Sequence, residues 1–570
     1  MNATQLLEHF DRLAEAPRAV PRLRRFILDL AVRGKLVEQE AGDEPAAELL
    51  KRIQTEKARL VKTGSLKASK LQPANEDVDS SLIPDSWRWT RLVDVGFISP
   101  RNAAPDDQLV SFVPMPMIAA DYGTPNQHEV RPWREIKTGY THFAEGDVGL
   151  AKITPCFENG KSTVFRGLTN GIGAGTTELH IVRPVFLNAD YILIYLKSSQ
   201  YIATGIPRMT GTAGQKRVPT EYFTQTPFPL PPLAEQHRIV AKVDELMALC
   251  DQLEAAQQER ECRRDRLTAA SLQRLNQPAT NTTSETQLEH AHFHLHNLPR
   301  LTTRPEHIKA MRQTILNLAV RGLLVPHDAT DIPATVLLKE IQTEKSQLLR
   351  VGAIPKEKTA AGKPSLTFTT PELWQVVRLG DVCNLVTSGS RGWAEFYAES
   401  GPKFLRAQNI RFGRLRLDQL ACVNPPARSE GARTQVQQGD LLIVITGAGV
   451  TNPALLDRDL GEAYVSQHVA LVRPSNVALA RWLLLCLMAG PSGRDELVER
   501  AYGAGKPGLN LDNIRSLNMP IPPLAEQHRI VAKVDELMAL CDQLEAQLTT
   551  TQTDSSRLLE AILETALIPA

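Results

Sequence analysis

One run of sequence occurs twice in this chain. Pro231–Ala255 reads PPLAEQHRIVAKVDELMALCDQLEA, and Pro522–Ala546 repeats it letter for letter. The offset, 522 minus 231, is 291 positions, about half of the 570 residues. A duplication on that scale implies a chain built from two halves that carry the same element. The prolines opening each copy cannot sit inside a helix but suit its first turn. Behind them lies an apolar seam of Ile239, Val243, Leu246, Cys250 and Leu253, repeated at Ile530, Val534, Leu537, Cys541 and Leu544. Its steps of four and three residues are the a/d spacing of a coiled-coil helix. The pattern predicts one long helix over 233–275, roughly 65 Å at ~1.5 Å per residue, and a second from Leu524 to the end of the chain.

Shorter repeats extend the duplication. LDLAVRGKLV at Leu28–Val37 returns as LNLAVRGLLV at Leu316–Val325, and KRIQTEKARL from Lys51 returns as KEIQTEKSQL from Lys339. Pro84, Trp87, Arg91, Leu92, Asp94 and Val95 match Pro371, Trp374, Arg378, Leu379, Asp381 and Val382. Residues 2–62 read as helices: a stripe of Leu6, Leu7, Phe10 and Leu13, a second helix carrying Leu23, Phe26, Ile27 and Leu30 that Gly34 closes, and a third from about Pro45 to Val61. Gly64–Ser81 is a polar linker. From Trp87 to about Phe228, and again from Pro371 to Met519, short apolar runs are cut by Gly, Pro and Asn, which is strand-and-turn chemistry. A short helix is expected near Tyr191–Ser198.

The expected order is therefore a helical region and linker over 1–82, a globular block over 83–230, a central helical region with linker over 231–369, a second block over 370–521, and a terminal helix over 522–570. The fold class is α+β: two globular domains joined by two long helices packed as an antiparallel coiled coil, with a pseudo-two-fold internal repeat. The helical parts are nearly identical and the blocks are not; Trp133–Lys161 and Trp393–Arg416 have no counterpart in each other. A shared frame carrying two unlike heads suits the reading of a long, two-part target.

Composition narrows the class. Net charge is +1, so a nucleic-acid surface must come from local placement rather than a global basic excess. The 7 cysteines form no C-x-x-C pair and read as reduced thiols of a cytoplasmic protein, with Cys250 and Cys541 placed on the seam for packing. The opening residues lack the apolar core of a signal peptide, and the most apolar run, Trp482–Ala489, is too short to span a membrane. His290, His292, His294 and His296 alternate along a polar stretch from Asn276 to Arg300, but no Cys or carboxylate set at zinc-site spacing accompanies them, and a solvated connector is expected.

The PLPPLAEQHRIVAKVDEL run at 229–246, its partner at 520–537, the LAVRGxLV repeats and the IPDSW and TPELW segments at 83 and 370 resemble the specificity subunits of type I DNA restriction-modification systems. In the first block AKITPCFENGK (Ala151–Lys161) and GAGTTELHIVRP (Gly173–Pro184) are similar to a common kind of target recognition domain in that family. The resemblance covers essentially the whole chain and points to a longer subfamily with an N-terminal helical repeat. It implies two target recognition domains, each reading half of a bipartite, asymmetric site on double-stranded DNA, with the helices as a ruler for the unspecified spacer. It further implies two methylation subunits docked on the frame and restriction subunits joined through them. S-adenosylmethionine, ATP and Mg belong to those partners, and this chain carries no cofactor.

Base reading needs Arg, Lys, Asn and Gln aimed at base edges, with other polar groups on phosphate. The first block offers Lys152, Thr154, Glu158, Asn159, Lys161, Thr176 and Thr177, and the GTAGQKR loop adds Gln215, Lys216 and Arg217. The second offers Arg391, Arg406, Asn409, Arg411 and Arg414, then Gln467 and His468 before a strand paralleling TELHIVRP, and Lys506 and Asn510 in GAGKPGLN.

Catalytic motifs fail at decisive positions. Asn424-Pro425-Pro426 is followed by Ala427 instead of the aromatic residue of an adenine methyltransferase loop. Gly160-Lys161-Ser162 has Pro155 where a phosphate-binding loop needs glycine. The expectation is a non-catalytic subunit. The competing classes are a coiled-coil adaptor whose heads bind proteins, and a self-sufficient modification enzyme.

Overall fold

The structure is a computed structural model that describes residues 16–64, 83–212, 214–276, 284–356, 363–425, 431–501 and 508–567. The Leu6–Leu13 stripe, all of the Gly64–Ser81 linker after Gly64, Ala427 and Lys506 lie outside them. Helices α1 (Ala19–Ala31) and α2 (Ala46–Lys62) are joined through Gly34 at φ 66°. A Cβ there would strain the backbone and meet Pro84 at 2.4 Å, so glycine is required. Helix α3 (Leu233–Asn276) is the first long helix, as the periodicity predicts. After α4 (Ser284–His296), α5 (Pro305–Val320) and α6 (Ala334–Arg350) repeat α1 and α2, with Gly322 at φ 73° in the role of Gly34. Helix α7 (Leu524–Leu567) is the second long helix.

Helix α4 departs from the solvated connector expected over Asn276–Arg300. The alternating histidines suggest no helix when read singly, but His290 and His294 are four apart and share a helical face. His294 is buried, with Nδ1 3.0 Å from Ser271 Oγ on α3.

The chain divides into two compact units: Met1–Arg260 with Thr551–Ala570, and Glu261–Thr550. Each unit contains the start of one long helix and the end of the other. In the first unit, Ile239, Val243 and Cys250 of the seam are buried with Ile27 and Leu28 of α1, Leu49 and Ile53 of α2, and the head residues Trp87, Tyr191 and Phe228; Leu246 and Leu253 pack on the flank of this cluster. Fully burying one such apolar side chain is worth about 1.5–3 kcal/mol. The helical repeat and head thus share one core. On its other side α1 receives Leu559, Ile562 and Leu563 from the end of α7.

The second unit repeats this arrangement with its own residues. Ile530, Val534 and Cys541 are buried with Ile315, Leu316, Ile341, Trp374 and Trp482. Arg312 of α5 reaches Asp542 at 2.7 Å and Glu545 at 2.9 Å, as Arg24 of α1 reaches Asp251 at 2.6 Å and Glu254 at 2.7 Å. The end of α3 lies against α5, with Asn276 Nδ2 donating to Thr314 Oγ1 at 2.8 Å. In each unit all five seam residues are therefore covered by that unit's own helical repeat and head.

Each head is closed at its neck by an antiparallel strand pair, β1 (Arg88–Arg91) with β10 (Pro227–Leu230), and β11 (Gln375–Arg378) with β21 (Asn518–Ile521). Within the first head the strands are β2 (Gly96–Ile98), β3 (Leu109–Val113), β4 (Glu129–Pro132), β5 (Thr141–Ala144), β6 (Val148–Ala151), β7 (Ser162–Val164), β8 (Ile172–Gly175) and β9 (Leu179–Pro184). They form two sheets, ordered β2-β9-β6-β7 and β4-β3-β8-β5. In the second head β12 (Cys383–Ser388), β13 (Tyr397–Leu405), β14 (Ile410–Arg411), β15 (Arg414–Leu415), β16 (Ala421–Val423), β17 (Leu441–Val444), β18 (Pro453–Leu455), β19 (Ala463–Val465) and β20 (Val469–Pro474) give sheets β12-β20-β17-β18 and β16-β13-β19 with a β14-β15 ribbon.

The two heads, unlike in sequence, share the strand order of the first sheet and a parallel pair in the second, which has four strands in the first head and three in the second. The first sheet is antiparallel throughout in both, and β3–β8 and β13–β19 are the parallel pairs of the second. A buried ion pair marks the common register. Asp147 before β6 accepts from Arg183 Nε and Nη2 at 2.8 Å, and Asp440 before β17 accepts from Arg473 at 2.8 and 2.7 Å. Both carboxylates are 1% exposed, so each depends on its arginine for compensation.

Candidate nucleic-acid interface

Three segments meet at the far edge of the first head. The turn after β6 is tied to the segment before β9 by Lys152 N–H donating to Glu178 O at 3.0 Å. It is tied to the 210–218 loop by Val218 N–H to Lys152 O at 2.8 Å and Thr154 N–H to Lys216 O at 2.9 Å. Thr210 and Arg217 exchange both backbone bonds, at 3.0 and 2.8 Å. His180 on β9 pins the loop from beneath, with Nε2 3.0 Å from Val218 O. Burial drives the His180 ring well down, to about 4, so it is neutral and donates.

This brings together Lys152, Thr154, Thr176, Thr177, Gln215, Lys216 and Arg217. Thr177, Gln215 and Lys216 are exposed, and Thr176 Oγ1 accepts from Glu178 N–H at 3.2 Å, shaping the turn. Glu158 and Asn159 are exposed on the neighbouring 155–160 turn, whereas Lys161 is half-buried and donates to Met115 O at 3.3 Å. A cleft of about 340 Å³ opens beside Lys152 and Thr177, lined also by Arg101, Tyr140, His142 and Thr220.

The second head builds the same edge. Ile445 N–H donates to His468 O, and Leu509 N–H to Ile445 O, both at 2.9 Å, with Thr446 and Gly508 bridged as Ile153 and Arg217 are. By these bonds Ile445 stands where Lys152 does, His468 where Glu178 does, and Gly508 where Arg217 does. Gln467 and His468 are exposed, and His468 Nδ1 lies 2.5 Å from Thr446 Oγ1. Ser390 bridges Ser466, which brings the exposed Arg391 toward this edge. Asn510 is exposed, and its side chain caps Leu511–Arg515 by accepting from Asn513 N–H at 2.7 Å.

The arginines predicted in the second block are set on different segments of the head. Arg411 and Arg414 are exposed on the β14-β15 ribbon, tied to β18 by Gly413 N–H to Pro453 O at 2.9 Å. Arg406 lies over the Tyr397 ring, 5.8 Å from its centre. The reading of Asn409 as a base contact is corrected. It is 2% exposed, with Oδ1 accepting from Arg406 N–H at 3.0 Å and Nδ2 donating to Arg416 O at 3.1 Å, so the amide is committed to holding its own turn.

Sequence reasoning missed Glu178. Its carboxylate takes Arg217 Nε at 2.9 Å and Nη2 at 2.8 Å, and this guanidinium holds the carboxyl below its ordinary range. The available signal was the spacing shared by the heads: Glu178 and His468 each stand five residues before the arginine of a V-R-P triplet. Among the described residues no cluster of three or more His, Cys, Asp or Glu side chains could hold a metal, and no helix is long and apolar enough to cross a membrane.

Residues 371–551 match the family described as type I restriction modification DNA specificity domain. The specificity subunit of the type I restriction enzyme EcoAI from Escherichia coli is 36% identical over 569 residues, covering 96% of this chain and 94% of the relative. The EcoEI specificity subunit, also from Escherichia coli, is 36% identical over 578 residues with the same coverage of 96% and 94%. Among solved structures, the HsdS subunit from Thermoanaerobacter tengcongensis aligns at 21% identity and a TM-score of 0.45, covering 85% of this chain and 97% of that one.

Proposed function

The chain belongs to the specificity subunits of type I restriction enzymes, the recognition rather than the catalytic component, and from that membership we propose that it reads a bipartite, asymmetric site on double-stranded DNA, one half with each head. What carries the proposal is one backbone edge built twice with different side chains: Lys152, Glu178 and Arg217 in one head, Ile445, His468 and Gly508 in the other. Two copies of one scaffold with unlike tips suit two unlike half-sites. The long helices act as a ruler that fixes the unspecified spacer, and equivalent faces of the repeated frame receive two copies of a methylation subunit. Restriction subunits join through that methylase core, and S-adenosylmethionine, ATP and Mg chemistry belongs to these partner subunits. Mapping the methylated bases in a host that carries this subunit and its partners tests the reading. The expected result is a two-part, non-palindromic motif with a fixed gap; a single contiguous motif, or none that depends on this chain, contradicts it.

A further inference from the structure

The Glu178–Arg217 pair supports a sharper statement, which rests on the proposed function. A guanidinium carries five N–H groups. Arg217 gives Nε–H and one Nη2–H to Glu178, and one Nη1–H to Gln215 O at 3.0 Å. One N–H on each terminal nitrogen remains without a partner among the described residues, so the planar group keeps two donors to offer. The Arg217 side chain is 42% exposed and lies at the loop edge beside Lys216. A carboxylate locked beside it cancels much of its net charge, which weakens it as a phosphate anchor. The same carboxylate fixes the direction of the group, which is what base reading needs. A planar group with two donors to offer matches the paired acceptors O6 and N7 of guanine in the major groove.

We infer that Arg217 reads a guanine in the half-site of the first head, with Glu178 as the positioning residue that aims it. The second head has His468 and Gly508 at the equivalent positions, so the Glu178–Arg217 pair has no counterpart at those two positions of the second head.

The test uses the full chain assembled with its methylation subunits and a pool of random-sequence duplexes, with base preference read at every position of the selected motif. Arg217→Ala should make one guanine position in one half tolerant of other bases, with discrimination there falling about 10- to 100-fold, while the other half keeps its preferences. Arg217→Lys should lose the same preference, because a point charge cannot fork. Glu178→Gln should weaken preference at that same position only, whereas a merely structural role would lower affinity for all sequences alike. A two-part motif in which Arg217→Ala changes no single guanine, or in which affinity drops evenly across sequences, would overturn the inference alone. A wild-type assembly that selects no two-part motif would overturn the underlying reading and the inference with it.

Discussion

Trp87 Nε1 donates to Glu235 Oε2 at 3.0 Å, and Trp374 makes the same bond to Glu526 at 3.0 Å. Each tryptophan lies just before the neck strand of its head, and each glutamate is in the first turn of a long helix. The bond therefore couples each head to its long helix at the joint between them. Glu235 is 1% exposed; burial pushes its carboxyl up, and the bonds from Trp87 and Gln39 oppose that rise. Trp87→Phe removes the donor and leaves a buried carboxylate short of a partner. The expected loss is about 2–3 kcal/mol, measured by urea denaturation of the first unit. A loss under about 0.5 kcal/mol would show that the bond does not hold the joint.

Arg183→Ala should be costlier than an ordinary surface arginine deletion, because it strands Asp147 at 1% exposure. Breaking a buried ion pair on one side costs about 3–5 kcal/mol. Limited proteolysis should show cleavage within 83–230 while the second head, held by Asp440 and Arg473, stays resistant. Equal susceptibility of both heads would contradict the assignment of this pair to its own head.

Much of this architecture is legible in the sequence. The exact repeat sets the two long helices, Gly34 and Gly322 mark the same turn, and Cys250 and Cys541 are buried on the seam as expected. The common fold of the heads is not legible, because its markers are sparse and differently spaced. Asp147 and Arg183 are 36 residues apart, Asp440 and Arg473 33, and the sequence between is free to vary around a fixed backbone ladder. Asn409 illustrates the opposite failure: an amide in a basic loop looks like a base reader, but only tertiary structure shows that its hydrogen bonds are already taken. Helix α4 escaped because its partner, Ser271, is distant in sequence.

Acid should loosen the first head selectively. His180 titrates near 4 in the folded chain because burial opposes its charged form, against about 6.5 unfolded. A base whose folded value is depressed binds its proton more readily when unfolded. Its contribution to stability is therefore complete above pH ~6.5 and declines as pH falls toward ~4, by at most about 3 kcal/mol. Ala470 occupies the corresponding register position in the second head and does not titrate. Denaturation of wild type and His180→Gln at pH 7, 6 and 5 tests this: the variant should lose less stability on acidification. Parallel decline of the two proteins would contradict it.

The ruler idea predicts that one heptad inserted in the 255–266 stretch of α3 changes the number of unspecified base pairs in the methylated motif or abolishes methylation. Full activity at the original spacing would reject it.

Exchanging residues 83–230 for the corresponding head of another specificity subunit, followed by methylation mapping, tests the central claim most directly. The account predicts that one half of the two-part motif changes while the other half stays as it was. A change in both halves, or in neither, would contradict it.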